Sequence, residues 1–399
     1  MRVSTSMMYE LGSGAITRQN AELVRTQQQL SSAKRLLSAA DDPVAAAAVL
    51  RTVQAVAINE GFKAAQGAAV NALALAESAL GSTGDLLQSA QQLLISAQSG
   101  ALNARDRASI AGQLDGMLTQ LVGLANARDG AGNYLFAGYA ETTQPFAQAA
   151  GGVVYQGDDG VRALEVAPGR LLGVSASGAD IFMRVKTGNG VFATAPDAAN
   201  TGAGMIDSGS VVDPAALTGS AYRITFNVAA GVTTYDVQDV TAGTTVSTGN
   251  AFAPGQGITI GGMQVTISSA PAAGDRFDLT PAARQSVFAT LAAAAGALRG
   301  GTNTAIRVSQ VNSALANLSQ ALDQSLTVRS DLGGRLAEIE THRGVTEAAG
   351  LEHQRRQSEL QDLDYAEAST RLARQQTALE AAQQSFARIA RLSLFNYLN

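Results

Sequence analysis

The first forty residues carry an apolar side chain at every seventh position. The residues that keep this spacing are Ile16, Leu23, Leu30 and Leu37. A seven-residue spacing returns to one face of an α-helix after two turns, and the positions between are largely polar. The pattern therefore predicts a long helix over residues 9–38 with a single narrow apolar seam.

A pair of aspartates followed by proline ends this seam. The residue before a proline disfavours the helical conformation, so Pro43 predicts a break between two helices. Asp42 is suited to cap the next helix and Pro43 to be its first residue. Asp41 and Asp42 are also a conceivable acid/base pair. Adjacent residues on a helix point apart, however, so the capping role is favoured.

A second helical zone follows the break. The same seven-residue spacing recurs in Leu73, Leu80, Leu87 and Leu94. Ser99-Gly100 is predicted to end this helix because glycine and serine favour turns. Apolar residues between Ile110 and Leu124 predict a further helix, which ends before Asp129-Gly130.

The last third of the chain returns to helical spacing near Ser286. Close to the C-terminus the spacing is kept by Leu372, Leu379 and Phe386, with Ile389 at a companion position. Because both chain ends carry matching seams, they are predicted to pair with each other. The C-terminal seam has a second interpretation, as the ordinary core of an intramolecular bundle. Burial between subunits is favoured because both narrow seams lie at chain ends.

The middle of the chain changes period. Seven of the eight prolines lie between Pro145 and Pro281, and proline is unfavourable inside helices. From Tyr222 to Val228 apolar and polar residues alternate, which predicts a strand with one buried face. Apolar alternation on both sides of Gly261-Gly262 predicts a hairpin. Short strands are also predicted at Tyr235/Val237 and Phe277/Leu279.

These patterns predict a mainly α protein with an inserted antiparallel β domain. We expect a terminal coiled-coil domain of residues 1–40 with 363–399. A helical bundle domain of residues 41–140 with 283–362 would follow, and the β domain would span 141–282. Fixing about thirty backbone residues costs roughly 1–2 kcal/mol each. Burying four seam side chains returns only about 6–12 kcal/mol in total. The terminal helices are therefore expected to order when neighbouring subunits enclose them.

The amino-acid composition argues against several classes of site and partner. The chain has no cysteine, which excludes disulfides and thiolate catalysis. A net charge of −5 argues against a nucleic-acid partner. No apolar run approaches the ~20 residues of a transmembrane helix, and the N-terminus lacks the apolar region of a cleaved signal peptide. We expect neither membrane insertion nor such a signal.

The sequence offers few candidates for catalysis or metal binding. His342 and His353 lie eleven residues apart in a helical segment, about 16 Å, too far for one metal ion. Asp158-Asp159-Gly160 lacks the remaining ligands of a calcium loop, so a turn is favoured. We predict no catalytic residue, no cofactor and no metal, and hence no enzyme.

Four segments carry a resemblance to a known family. The segment from Leu30 to Val44, LSSAKRLLSAADDPV, resembles the N-terminal region of flagellins and flagellar hook-associated proteins. Its Asp-Asp-Pro-Val ending is closer to the hook-associated type than to filament flagellin. Residues 1–8, 128–138 with the nearby TQPF, and 392–398 are also similar to hook-associated proteins. Together the matches cover roughly the first 140 and the last 115 residues.

The resemblance implies a structural subunit of the bacterial flagellum that joins the hook-associated ring to the flagellin filament. Its implied partners are like subunits in a ring, hook-associated protein 1, flagellin and an export chaperone. It would be extracellular, at the hook–filament junction, after type III export, with the β domain facing outward. Filament flagellin, or another secreted coiled-coil filament subunit, is the alternative.

Overall fold

The computed structural model describes residues 5–100, 102–300 and 303–395. The long helices are α1 (Thr5–Ser32), α2 (Pro43–Ala97), α3 (Ala104–Ala125), α4 (Val287–Arg299), α5 (Thr304–Gln361) and α6 (Tyr365–Phe395). A π-helical turn (Ala179–Met183) and a 3-10 turn (Pro214–Ala216) lie between the strands. The strands are β1 (Phe146–Ala149), β2 (Gly152–Tyr155), β3 (Ala163–Ala167), β4 (Arg170–Gly173), β5 (Val185–Lys186), β6 (Phe192–Pro196), β7 (Met205–Ile206), β8 (Ser210–Val211), β9 (Tyr222–Ala229), β10 (Val232–Asp239), β11 (Thr244–Ala251), β12 (Gly257–Ile260), β13 (Met263–Ser268), β14 (Arg276–Pro281) and β15 (Arg284–Gln285). The predicted class, mainly helical with an antiparallel β insertion and paired terminal helices, is confirmed.

The chain divides into two compact units. One comprises residues 1–64 and 342–399, and the other residues 65–341. Both α2 and α5 contribute residues to each unit. The three-domain division expected from the sequence stays a prediction.

In the first unit, α1 packs antiparallel to α6. The prediction that the first helix continues to Ser38 was wrong, because α1 ends at Ser32. Ala33 adopts φ +57°, in the left-handed region, and its carbonyl accepts a hydrogen bond from the Leu363 backbone N–H at 3.1 Å. Lys34 forms an isolated antiparallel bridge with Asp362. The backbone thus leaves the helix because it finds partners at the junction of α5 and α6.

The helices of the second unit share a leucine-rich core. The four heptad leucines predicted on α2, Leu73 to Leu94, are all fully buried. Arg329 of α5 reaches Glu77 of α2 at 2.6 Å, and Asn312 of α5 accepts a hydrogen bond from Gln98, just after the end of α2, at 2.7 Å. The two helices therefore run antiparallel within the unit. The helix predicted between Ile110 and Leu124 is confirmed as α3, which opens on a capping box made by Asn103 and Asp106.

Four phenylalanines fill the end of this core next to the β-hairpins. Phe182 has ring contacts with Phe136, Phe146 and Phe288, with centroids 5.3–5.9 Å apart. Val166 of β3 belongs to the same cluster of buried residues. The hairpins β1–β2 and β3–β4 therefore share their apolar core with helices.

A second, separate core lies among strands β6 to β14. A five-stranded antiparallel sheet has the order β11-β10-β9-β14-β6, and β13 pairs with β12, β7 and β8. The predicted strand at Tyr222 is confirmed as β9, with its alternate side chains buried from Tyr222 to Phe226. The predicted hairpin is β12–β13. Its turn residues Gly261 and Gly262 have φ of +52° and +79°, values that glycine adopts without strain.

Candidate functional site: the paired terminal helices

The contact between Gly12 and Phe386 fixes the register of α1 against α6. A Cβ placed on Gly12 would lie 2.7 Å from Phe386 Cδ2, so the aromatic ring occupies the space that a side chain would need. The Tyr9 ring lies on the same phenylalanine, with centroids 4.8 Å apart. Sequence analysis missed this contact. Glycines within a strong helical pattern, Gly12 and Gly14, were the available signal.

The structure places the predicted seam residues unevenly. Leu23 is buried, with 9% of its surface exposed, whereas Leu37 lies beyond the end of α1 and is 37% exposed. The remaining described members of the seam are half-buried: Ile16, Leu30, Leu372, Leu379 and Phe386. Ile389 lies outside the described side chains. Burial between α1 and α6 is thus partial.

The α1 helix also exposes apolar side chains outside the seam. Met7, Tyr9, Leu11 and Val24 are each 45–59% exposed. Scattered apolar residues are normal on a protein surface. Four of them on one 28-residue helix, beside a seam that is only half-buried, leave this helix with much apolar area in contact with water.

The segment between α1 and α2 is held by hydrogen bonds from within the first unit. The Arg35 backbone N–H donates to the Gln361 carbonyl at 2.8 Å, and its guanidinium donates to the Leu360 carbonyl at 3.0 Å. The Arg35 carbonyl accepts from the buried Gln29 side chain at 2.7 Å. These bonds satisfy the backbone N–H and carbonyl of Arg35 and the Leu360 and Gln361 carbonyls, which belong to the last turn of α5 and have no partner within that helix.

The helix-break aspartates have separate structural contacts. Asp42 accepts hydrogen bonds from the N–H groups of Val44 and Ala45, and Pro43 is the first residue of α2. Asp41 accepts from the N–H groups of Leu37 and Ser38 at 2.9 and 3.0 Å.

Asp41 also forms an ion pair that the sequence did not indicate. Its carboxylate lies 2.7 Å from the Arg25 guanidinium. The Ser38 and Leu37 backbone N–H groups, with Arg25 adding a smaller contribution, hold the pKa of Asp41 below its usual value. This carboxylate therefore stays charged and ties the segment after α1 back to that helix.

The described residues contain no group of three or more histidine, cysteine, aspartate or glutamate side chains that could hold a metal ion. Asp158 accepts a local hydrogen bond from the Gly160 backbone N–H, and its carboxylate also accepts from the backbone N–H groups of Tyr139 and Ala140, so it joins two segments that are distant in the sequence. No helix in the described parts of the chain is long and apolar enough to cross a membrane.

Two family models match the ends of the chain. The model described as "Bacterial flagellin N-terminal helical region" matches residues 3–141, and "Bacterial flagellin C-terminal helical region" matches residues 309–398. The matched ranges contain α1, α2, α3, α6 and most of α5.

Solved structures of relatives match about three quarters of the chain. The crystal structure of flagellar hook associated protein-3 from Legionella pneumophila is 30% identical with a TM-score of 0.71, covering 77% of this chain and 99% of that one. The chain belongs to the flagellar hook-associated protein 3 family. Xanthomonas campestris FlgL is similarly close, at 30% identity and a TM-score of 0.70, with the same coverage.

Two curated members of the hook-associated protein 3 family also match this chain in sequence. The Escherichia coli K12 protein is 29% identical over 395 residues, which is 99% of each chain. The Salmonella typhimurium protein is 36% identical over 191 residues, 48% of this chain and 59% of that protein. As a member of this family, the chain is a non-enzymatic structural component of the extracellular flagellum, at the hook–filament junction. The Escherichia coli relative matches over nearly the full chain, which favours this assignment over filament flagellin.

Proposed function

We propose that copies of this chain form a ring between hook-associated protein 1 and the first flagellin subunits of the filament. The single observation that carries the proposal is the incomplete burial of the terminal pair. The α1 helix keeps Met7, Leu11 and Val24 in water, and its seam is only half-buried against α6. Neighbouring subunits above, below and beside the pair would bury this apolar surface.

The seam residues Ile16, Leu23, Leu30, Leu37, Leu372, Leu379, Phe386 and Ile389 are proposed to contribute to these contacts. Asp41, Asp42 and Pro43 are proposed to set the break that separates the terminal pair from the rest of α2. The β domain is proposed to face outward. Export would use the flagellar type III apparatus, with an export chaperone and without a cleaved signal peptide.

Deleting the gene tests the junction role. We expect mutant cells to carry hooks without filaments and to shed flagellin into the medium, with both defects reversed by a plasmid copy. Attached filaments of normal number on the deletion strain would contradict the proposal. Electron micrographs of the cell surface and the flagellin content of the medium provide the readouts.

Amide exchange tests the terminal helices directly. In the dilute purified chain, residues 5–32 are expected to exchange much faster than the buried leucines of α2. In isolated hook–filament junctions the same residues are expected to be protected. Full protection of α1 in the monomer would show that the pair needs no neighbours.

A further inference from the structure

Two positive side chains stand opposite each other on the short ribbon of β5 and β15. In its antiparallel register Arg284 faces Lys186, and both residues are exposed. In the described parts of the chain neither side chain makes an ion pair. Directly opposed residues on antiparallel strands have Cβ atoms about 4.5–5.5 Å apart, and like charges at this distance destabilise the pairing. The ribbon therefore contains a repulsion that no neighbouring carboxylate offsets.

The same two residues line a cavity of about 530 Å³ in the second unit. Its opposite wall is a polar face of α5, where Gln320, Asp323 and Gln324 lie at helical spacing. The Gly188 backbone N–H donates to the Asn317 side chain at 2.6 Å, which holds α5 against the chain just after β5. Sites for small ligands in proteins have volumes of about 300–1,000 Å³, so the cavity is large enough for one.

The other charged side chains of the cavity are already paired. Arg184 reaches Asp159 at 2.7 Å and Asp180 at 2.8 Å. Arg335 reaches Asp331 at 2.6 Å. Within the described residues, the charged side chains of the lining that have no ion pair are Lys186, Arg284 and Asp323.

These unpaired groups define the chemistry of a ligand. Two adjacent cations on one wall attract a carboxylate, which accepts charge-assisted hydrogen bonds from both. On the other wall, the side chains of Gln320, Asp323 and Gln324 make no hydrogen bond to any described residue. The Asp323 carboxylate accepts hydrogen bonds from hydroxyl groups, but it repels a compact dianion such as phosphate. A ligand that satisfies both walls is therefore rich in hydroxyl groups and has a single carboxylate.

We propose that this cavity binds a sugar acid, a pyranose ring with one carboxylate, as found in acidic polysaccharides outside cells. The carboxylate would lie between Lys186 and Arg284, where it relieves the repulsion on the ribbon. The ring hydroxyls would donate to Asp323 and exchange hydrogen bonds with the two glutamine amides. This binding function goes beyond the junction role and does not depend on it.

Saturation-transfer NMR on the purified full-length chain tests the site, with D-glucuronate as the probe. We expect a Kd on the order of 1 mM, because a ligand with about a dozen non-hydrogen atoms gains only a small free energy per atom. D-Glucose has the hydroxyls without the carboxylate and is expected to bind about tenfold more weakly. Absence of saturation transfer to glucuronate at about 10 mM, or equal binding of glucose, would overturn the inference.

Removing both cations tests where the probe binds. Lys186→Gln combined with Arg284→Gln is expected to weaken glucuronate binding about tenfold or more, because hydrogen bonds to charged groups are the stronger ones. Arg105→Gln is the matched control, since it removes an exposed arginine of α3 that does not line the cavity. The control is expected to bind like the wild type. Equal binding by the double variant and the control would show that the sugar acid does not bind in this cavity.

Asp323→Ala separates a sugar-acid site from a general anion site. Loss of the acceptor is expected to weaken glucuronate binding about threefold. Loss of the negative charge is expected to strengthen the binding of inorganic phosphate at the same time. If the variant binds both probes more tightly, the wall of α5 only repels anions and the inference is wrong.

The repulsion on the ribbon is tested by Lys186→Glu, which places opposite charges across β5 and β15. This variant is expected to raise the thermal midpoint by roughly 1–3 °C and to abolish glucuronate binding. A lowered midpoint together with retained binding would contradict the proposed role of the two cations. The junction role is judged separately by the deletion strain, because none of these measurements involves filament attachment.

Discussion

Replacing Gly12 by alanine tests the packing of the terminal pair. In a helix interior, Gly→Ala normally stabilises by about 1 kcal/mol. At this position the new Cβ would lie 2.7 Å from Phe386 Cδ2 and 3.1 Å from its Cε2. Because carbon atoms prefer about 3.5–4.0 Å, the ring must move by on the order of 1 Å. Overpacking of this kind costs about 1–3 kcal/mol, which gives a net destabilisation of about 0–2 kcal/mol.

Gly14→Ala is the matched control two residues away. Its nearest neighbour is Arg18 Nη1 at 3.8 Å, an ordinary contact with the end of a flexible side chain. This variant is expected to stabilise α1 by about 1 kcal/mol. The two alanine variants should therefore differ by about 1–3 kcal/mol, or roughly 5- to 150-fold in the equilibrium for opening α1.

Hydrogen exchange of the purified chain, read on peptides from α1, measures this difference. Gly12→Ala is expected to exchange faster than Gly14→Ala, and adding Phe386→Leu to Gly12→Ala should remove most of the difference. If both alanine variants slow exchange equally, the Phe386 ring does not occupy the space beside Gly12, and the register derived from it is wrong.

Three further predictions concern the remainder of the chain. Phe182→Ala should lower the free energy of unfolding by about 3–5 kcal/mol in denaturant titrations, because its buried ring touches three others. Folding lowers the pKa of Asp41, so the charged carboxylate stabilises the fold at pH values above its pKa in the unfolded chain, which is near 3.8. This stabilisation is lost as the pH falls through the lower pKa of the folded chain. Exchange at the α1–α2 segment should therefore rise in acid, and Asp41→Asn should abolish that dependence. Gly132→Ala and Gly138→Ala both place a side chain on a residue with a positive φ, which strains the backbone. Only at Gly138 does the added Cβ also collide with the Asp158 carboxylate. Gly138→Ala should consequently lower the thermal midpoint more.

The regular patterns were sufficient to predict most elements. The heptad leucines of α2 are buried as expected, and the helix stop at Ser99-Gly100 lies just beyond the last residue of α2. The alternation of apolar and polar residues from Tyr222 predicted the buried face of β9, and the structure shows it from Tyr222 to Phe226. These predictions succeed because period and turn chemistry are local, and a few neighbouring residues are enough to define them.

Other features depend on contacts between distant residues. Leu37 continues the seven-residue spacing, yet the chain leaves the helix after Ser32 and bonds to the α5–α6 junction. Phe146 and Val166 lie in the proline-rich middle, but they pack in the same core as the helices. Nothing in the spacing of either segment indicates which distant partner it will meet.

The sequence by itself determined the helix periods, the alternating strand, the proline break and the charges at both chain ends. Only the tertiary structure decided that Gly12 admits the Phe386 ring, that Asp41 pairs with Arg25, and at which height α1 meets α6. The physical reason is that periodicity defines a face of each element, whereas register is chosen by side-chain shape and hydrogen-bond partners that lie hundreds of residues apart.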